Sequence, residues 1–200
     1  MKKNFLIIAL LLNVFYLSAI AGGGGEGDKK TTTASPTTTA IGKDAEKIQW
    51  LSLPEAEKLM QKEPRYVLVD IYTNWCGWCK RLDQVTFQNP DIIEYINDNY
   101  YAVKLNAETK ESITVGGKEY KYLSQGGRGM NELAIALTNG QVSMPTLVVL
   151  GKDFAQQGII PGYQEPDAMD KILHYFAGGF YEKNINWGIF EKGYKSRIKK

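Results

Sequence analysis

The sequence predicts an α/β domain with a mixed central β-sheet flanked by helices. Three observations carry this expectation. Short β-branched and aromatic runs, Tyr66 to Tyr72 and Tyr101 to Asn106, alternate with stretches of helical apolar period. Two later runs, Thr146 to Leu150 and Gln157 to Ile160, are separated by Gly151-Lys152-Asp153 and read as a closing hairpin. The only two cysteines of the chain, Cys76 and Cys79, fall where the first run gives way to a helix.

With 200 residues, the chain has room for one domain of ordinary size plus tails. A net charge of +2 and a pI near 8.3 come mostly from lysine-rich ends. That is too mild for a nucleic-acid partner, and no basic–aromatic array accompanies it.

Residues 1–21 read as a signal peptide: Lys2 and Lys3, an apolar stretch from Phe5 to Leu17, then Ala19-Ile20-Ala21 as a cleavage site. The competing reading is a retained membrane anchor, against which Asn13 and the short apolar length argue. Export implies a periplasmic or secreted location, where disulfides form and reshuffle. Residues 22–43 are Gly/Thr/Ser-rich and read as a flexible linker, too polar to offset ordering entropy.

The domain is expected over 44–177. Ser52 and Glu55 have capping-box spacing, with Pro54 in the first turn and Ala56, Leu59 and Met60 as an apolar face. The Tyr66–Tyr72 run follows, then a helix through Leu82 and Val85. Asn89-Pro90 opens another helix, with Ile92, Ile93 and Ile96 inward. Met130, Leu133, Ala134 and Leu137 form a helical stripe ended by Asn139-Gly140. Met169, Ile172, Leu173 and Phe176 mark the last amphipathic helix, and His174 falls off that stripe as an expected surface residue. Residues 108–128 form a long Gly-rich connection: a hairpin, a substrate-facing flap or a tolerated surface insertion. Residues 178–200 make an aromatic extension that either packs back or docks a partner.

The cysteine pair is where chemistry is expected. A structural zinc site needs four ligands, and the chain has two Cys and one His. A haem attachment site needs His at position 80, which is Lys. A disulfide closing so short a loop constrains little of the unfolded chain. A cysteine near a helix start, by contrast, meets unpaired amides and the positive end of the helix dipole, which favour thiolate. An inert pair of buried cysteines would not explain the junction position, so redox chemistry is the preferred reading.

The run Val69-Asp70-Ile71-Tyr72-Thr73-Asn74-Trp75-Cys76-Gly77-Trp78-Cys79-Lys80 resembles the active-site segment of the thioredoxin family. Lys104 in Val103-Lys104-Leu105-Asn106 is similar to that family's lysine beside a buried aspartate, and Met144-Pro145-Thr146 to its cis-proline loop. The resemblance spans roughly residues 48–177 and implies a thioredoxin-like fold. Between the cysteines stands Gly-Trp, where thioredoxin has Gly-Pro.

The resemblance implies roles. Cys76, the more exposed thiol, attacks a substrate disulfide and Cys79 resolves the mixed disulfide. Asp70, a carboxylate in an apolar strand, accepts the Cys79 proton; the alternative is a carboxylate turned to solvent. Lys104 tunes Asp70 or is an edge charge. Trp75, Gly77, Trp78, Met144 and Pro145 form the substrate surface, with Trp75 shielding the site and Trp78 exposed to partners. Trp75 in core packing and Pro145 as an ordinary strand-entry residue are the alternatives. If cis, Pro145 lies against the cysteines and exposes backbone that an extended substrate can pair with.

No metal or organic cofactor is expected, because the electrons reside on Cys76 and Cys79. The expected partners are exported proteins with disulfides or thiols and a membrane-borne redox partner. The reducing direction is preferred over the oxidising one. A binding or chaperone module with a non-cycling disulfide is the alternative class.

Overall fold

A computed structural model describes residues 46–124 and 126–198. The expected signal peptide and linker, and the first two residues of the expected domain, lie outside the described residues. Among the described residues, no helix is long and apolar enough to cross a membrane.

A five-stranded sheet forms the centre. Its strands are β1 (Trp50–Leu51), β2 (Tyr66–Tyr72), β3 (Tyr100–Asn106), β8 (Thr146–Leu150) and β9 (Gln156–Pro161), in the order β1-β3-β2-β8-β9. β1, β2 and β3 are mutually parallel, whereas β8 and β9 join antiparallel, which makes the sheet mixed. Strand β1 was not foreseen; its two residues are too few to show a period. Between β3 and β8 the chain forms two small ribbons: β4 (Ile113–Val115) with β5 (Lys118–Tyr120), and β6 (Tyr122–Leu123) with β7 (Met130–Asn131).

Helices α1 (Leu53–Met60), α2 (Gly77–Gln84), α3 (Pro90–Asn99), α4 (Glu132–Leu137), α5 (Pro166–Ala177) and α6 (Trp187–Gly193) cover the sheet. Helix α1 has the expected capping box: the Glu55 amide donates to Ser52 Oγ and the Ser52 amide to Glu55 Oε2. Asn89 caps α3, accepting from the amides of Asp91 and Ile92. Helix α4 is shorter than its stripe predicts, because Met130 belongs to β7 and the Asn131 side chain caps the helix. Past α4, Asn139 and Gly140 adopt positive φ of 52° and 79° and turn the chain back toward β8.

Alternation along β2 separates two cores. Val67, Val69 and Ile71 pack with α1 and α4, together with Leu53, Ala56 and Leu133. Tyr66 and Leu68 pack on the opposite side with Leu82 of α2, Ile92 and Ile96 of α3, and Met169 and Leu173 of α5. Asp70 is next on this second face.

The C-terminal extension packs back. Phe190 is 4% exposed and its ring meets Tyr175, Phe180, Trp187 and Tyr194. Buried Asp170 accepts from Tyr194 OH and the Arg197 amide, tying the tail to α5. This corrects the expectation for His174, which is half-buried beneath the tail. Its ring stacks on Tyr95 at 3.8 Å, Nδ1 lies 2.8 Å from the Asp170 carbonyl, and Arg197 approaches Nε2 at 2.8 Å. It leaves the apolar stripe because its neighbours are polar and aromatic, not because it meets solvent.

Candidate active site

Cys76 caps α2. It is the N-cap residue with extended backbone, and its Sγ accepts the Cys79 amide at 3.0 Å, as a capping serine oxygen would. The two cysteines are joined in a disulfide. In the reduced protein the same amides and helix dipole favour charge on the Cys76 sulfur. Both cysteines are buried, Cys76 at 4% and Cys79 at 2%, so the expected order of exposure is kept but the difference is small. The exposed surface is provided by their neighbours, Trp75 at 53% and Trp78 at 61%. Gly77 is also exposed, and a side chain there would meet open space.

Behind α2 lies Asp70, 1% exposed. Its register partner on parallel β3 is Lys104, so the two side chains are lateral neighbours on one face. Lys104 Nζ donates to Asp70 Oδ2 at 2.6 Å and also to Asp83 Oδ1 on α2. The rings of Trp50, Tyr72 and Phe87 surround the ammonium at 4.9, 5.0 and 5.6 Å. Asp70 Oδ1 is buried without a hydrogen-bond partner among the described residues.

Burial pushes the Asp70 carboxyl up to about 6, against the pull of Lys104 and with a smaller upward push from Asp83. At Lys104 burial acts downward, but Asp70 and Asp83 outweigh it and hold the ammonium above its ordinary range. The two balances differ for a physical reason. Lys104 keeps 21% side-chain exposure and two carboxylates, whereas the Asp70 side chain has 1% exposure and one cation among the described residues. Asp83 is the member of this group that sequence reasoning missed. Its signal was available: it lies four residues after Cys79, one helical turn along α2.

The Met144–Pro145 peptide is cis. Pro145 is buried, Met144 is partly buried against the α1/α4 core, and the Pro145 carbonyl accepts the Gly162 amide at 2.8 Å. That bond places the next residue, Tyr163, at the site. Its ring packs on Trp78 with centroids 5.5 Å apart, and the Arg81 guanidinium lies 5.9 Å from the Tyr163 ring centroid. On the Trp75 side the insertion closes in: Trp75 Nε1 donates to Glu108 Oε1 at 3.0 Å, and the Arg128 guanidinium lies 4.8 Å from the indole centroid. Tyr163, Glu108 and Arg128 were also missed, since each is remote in sequence from the residue it meets.

A thioredoxin fold carrying a disulfide-linked cysteine pair at a helix start defines the class of protein. The chain belongs to the thioredoxin-like domain family, whose model matches residues 53–177. Among solved structures it is similar to a thioredoxin-fold protein from Helicobacter pylori, at 18% identity over 72% of this chain and 82% of that one, TM-score 0.49. It is also similar to a thioredoxin from Thermus thermophilus, at 19% identity over 64% and 85%, TM-score 0.48. The C-terminal domain of DsbD from Neisseria meningitidis, in its oxidised form, gives 17% identity over 66% and 90%, TM-score 0.41. A curated relative, an uncharacterized protein from Archaeoglobus fulgidus, is 34% identical over 58 residues, or 29% of this chain. The match spans 46% of that relative's length.

Proposed function

We propose that the chain is an exported thiol–disulfide oxidoreductase that reduces disulfides of other exported proteins. The observation that carries this reading is the Cys76–Cys79 pair at the α2 N-terminus, backed by a buried carboxylate with one unpartnered oxygen.

The reaction balances on the protein's own sulfurs. In the reduced form the Cys76 thiolate attacks one sulfur of a substrate disulfide, and the other sulfur leaves as thiolate. Cys79, giving its proton to Asp70 directly or through water, then attacks Cys76 of the mixed disulfide. The second substrate sulfur leaves, and the Cys76–Cys79 disulfide remains. Two electrons have passed to the substrate, and a dithiol partner at the membrane must return them. No metal or organic cofactor enters. Asp70, with its carboxyl pushed up to about 6, suits this role because it takes and releases a proton near neutral pH. Lys104 steadies its charged form, while Trp75, Gly77, Trp78, Met144 and Pro145 form the substrate surface.

The test is trapping. With Cys79→Ser, mixed disulfides to exported proteins should accumulate through Cys76 and vanish when Cys76 is also replaced. Their absence would count against the enzyme. A binding module with a non-cycling disulfide is the second reading, favoured by the burial of both cysteines beneath exposed Trp75 and Trp78. It predicts that Cys76→Ser leaves the phenotype intact.

A further inference from the structure

The insertion is built against the site rather than hung from the domain. Buried Asn131 holds its base: the amide donates to the Ala107 carbonyl at 2.8 Å, and Nδ2 to the carbonyls of Thr109 and Glu111. Near its end, Gly129 donates to Tyr122 OH, and a Cβ there would come within 2.2 Å of the Leu123 carbonyl. The chain therefore passes too close to β6 for any other residue, and this fixes Arg128 just before it. Glu108 at the start of the insertion and Arg128 at its end hold the two sides of one indole, Trp75.

Nothing in the core requires this, because Trp75 is half exposed. What the clamp does is set a cation on the flat ring of Trp75, the residue before Cys76. Arg128 has no carboxylate partner among the described residues, and the Glu108 carboxylate is turned onto the indole N–H. Arg128 also lines a cavity of about 260 Å³ with Leu123, Met130, Ile135 and Val142. Val142 leads within three residues to Pro145. Arg81, likewise without an ion pair among the described residues, stands beyond Trp78 and Tyr163.

We propose that the insertion is a substrate-selecting subsite: Arg128, held on Trp75, receives a carboxylate side chain next to the reactive cysteine of an extended protein segment. The occupant follows from charge, since Arg128 at Trp75 and Arg81 at Tyr163 have no ion pair among the described residues, and from shape, since the cavity beside Arg128 leaves room for the segment to continue. The inference rests on the exchange reaction proposed above.

The test uses the full chain, reduced, with peptide disulfides identical except for Glu, Gln or Lys beside the cysteine. Hydroxyethyl disulfide serves as a small neutral control. The Glu peptide should react roughly 2–5-fold faster than the Lys peptide at low salt, as one exposed charge pair allows. Arg128→Gln and high salt should each bring that ratio down and Arg128→Lys should largely keep it, with each protein's rate on hydroxyethyl disulfide normalising for any change in the Cys76 thiolate. A ratio that is absent in the wild type, or that persists unchanged in Arg128→Gln, overturns the subsite while the control still reports exchange. Failure of the wild type to reduce hydroxyethyl disulfide at all would remove the exchange reading, and the subsite with it.

Discussion

Lys104 Nζ donates to Asp70 Oδ2 at 2.6 Å while bridging to Asp83 on α2, so one ammonium serves a buried carboxylate and a half-exposed one. The arrangement joins the middle of the sheet to the helix that carries the cysteines. The Asp83 side chain is 44% exposed and that of Asp70 1%, so among the described residues the lysine is the one cation that offsets the charge of a group shut off from bulk solvent. The first two predictions follow from this asymmetry.

Asp70 should make stability fall as pH rises. An ordinary aspartate ionises near 3.8 and this one near 6, so between those values the fold holds a proton that the unfolded chain has released. Full ionisation then subtracts about 3 kcal/mol above that window. Asp70→Asn should remove this loss and leave the variant more stable than wild type at about pH 8, read by urea unfolding. A variant less stable than wild type there would contradict the account.

Asp83→Asn should lower the Asp70 titration midpoint. Removing Asp83 takes away a charge that disfavours a second anion nearby, and it leaves Lys104 wholly to Asp70. Carbon-13 NMR of the Asp70 carboxyl checks this directly, with an unmoved or rising midpoint as the contrary result. The pH profile of exchange should shift the same way.

The reduction potential of the Cys76/Cys79 pair should lie nearer thioredoxin's, about −270 mV, than the strong oxidant value of about −120 mV. Equilibration against glutathione buffers, followed by Trp fluorescence, measures it. A value at the oxidising end would reverse the direction of electron flow proposed here.

The tail should be structural. Phe190→Ala removes a buried ring from the α5/α6 contact and should cost about 3–5 kcal/mol. Asp170→Asn should loosen the tail without opening that aromatic cluster, because it weakens the hold on Tyr194 OH and the Arg197 amide. Urea unfolding and proteolysis of the tail separate the two effects.

His174 should make that tail acid-sensitive. Burial holds its imidazole below the ordinary range; Asp170 acts upward and Arg197 downward. The groups facing it are Asp170 on its own helix, Tyr95 on α3, Tyr194 after α6, and Arg197. With its folded value lowered, the unfolded chain takes the proton first, so stability is lost as pH falls through the ordinary value of 6.5. Protonated Nε2 would also face the Arg197 guanidinium. His174→Gln should flatten this acid limb, measured as tail proteolysis against pH; an unchanged profile would exclude His174 as its cause.

The main strands and helices of the domain, and the cysteine pair at a strand-to-helix junction, were legible in the sequence alone. Alternation in Tyr66–Tyr72, the helical stripe through Met169 and Phe176, and the Ser52/Glu55 cap are local patterns, set within a few residues by backbone geometry. The cysteine pair at a strand-to-helix junction is likewise local, and its surroundings at Asp70, Lys104 and Pro145 were legible through family resemblance. Only the tertiary structure decided what lies across space. It brought Asp83 to Lys104, Tyr163 to Trp78 and Arg128 to Trp75, and it closed the tail over His174. These contacts join elements far apart in the chain and depend on how one face packs on another. A period within one segment carries no record of that.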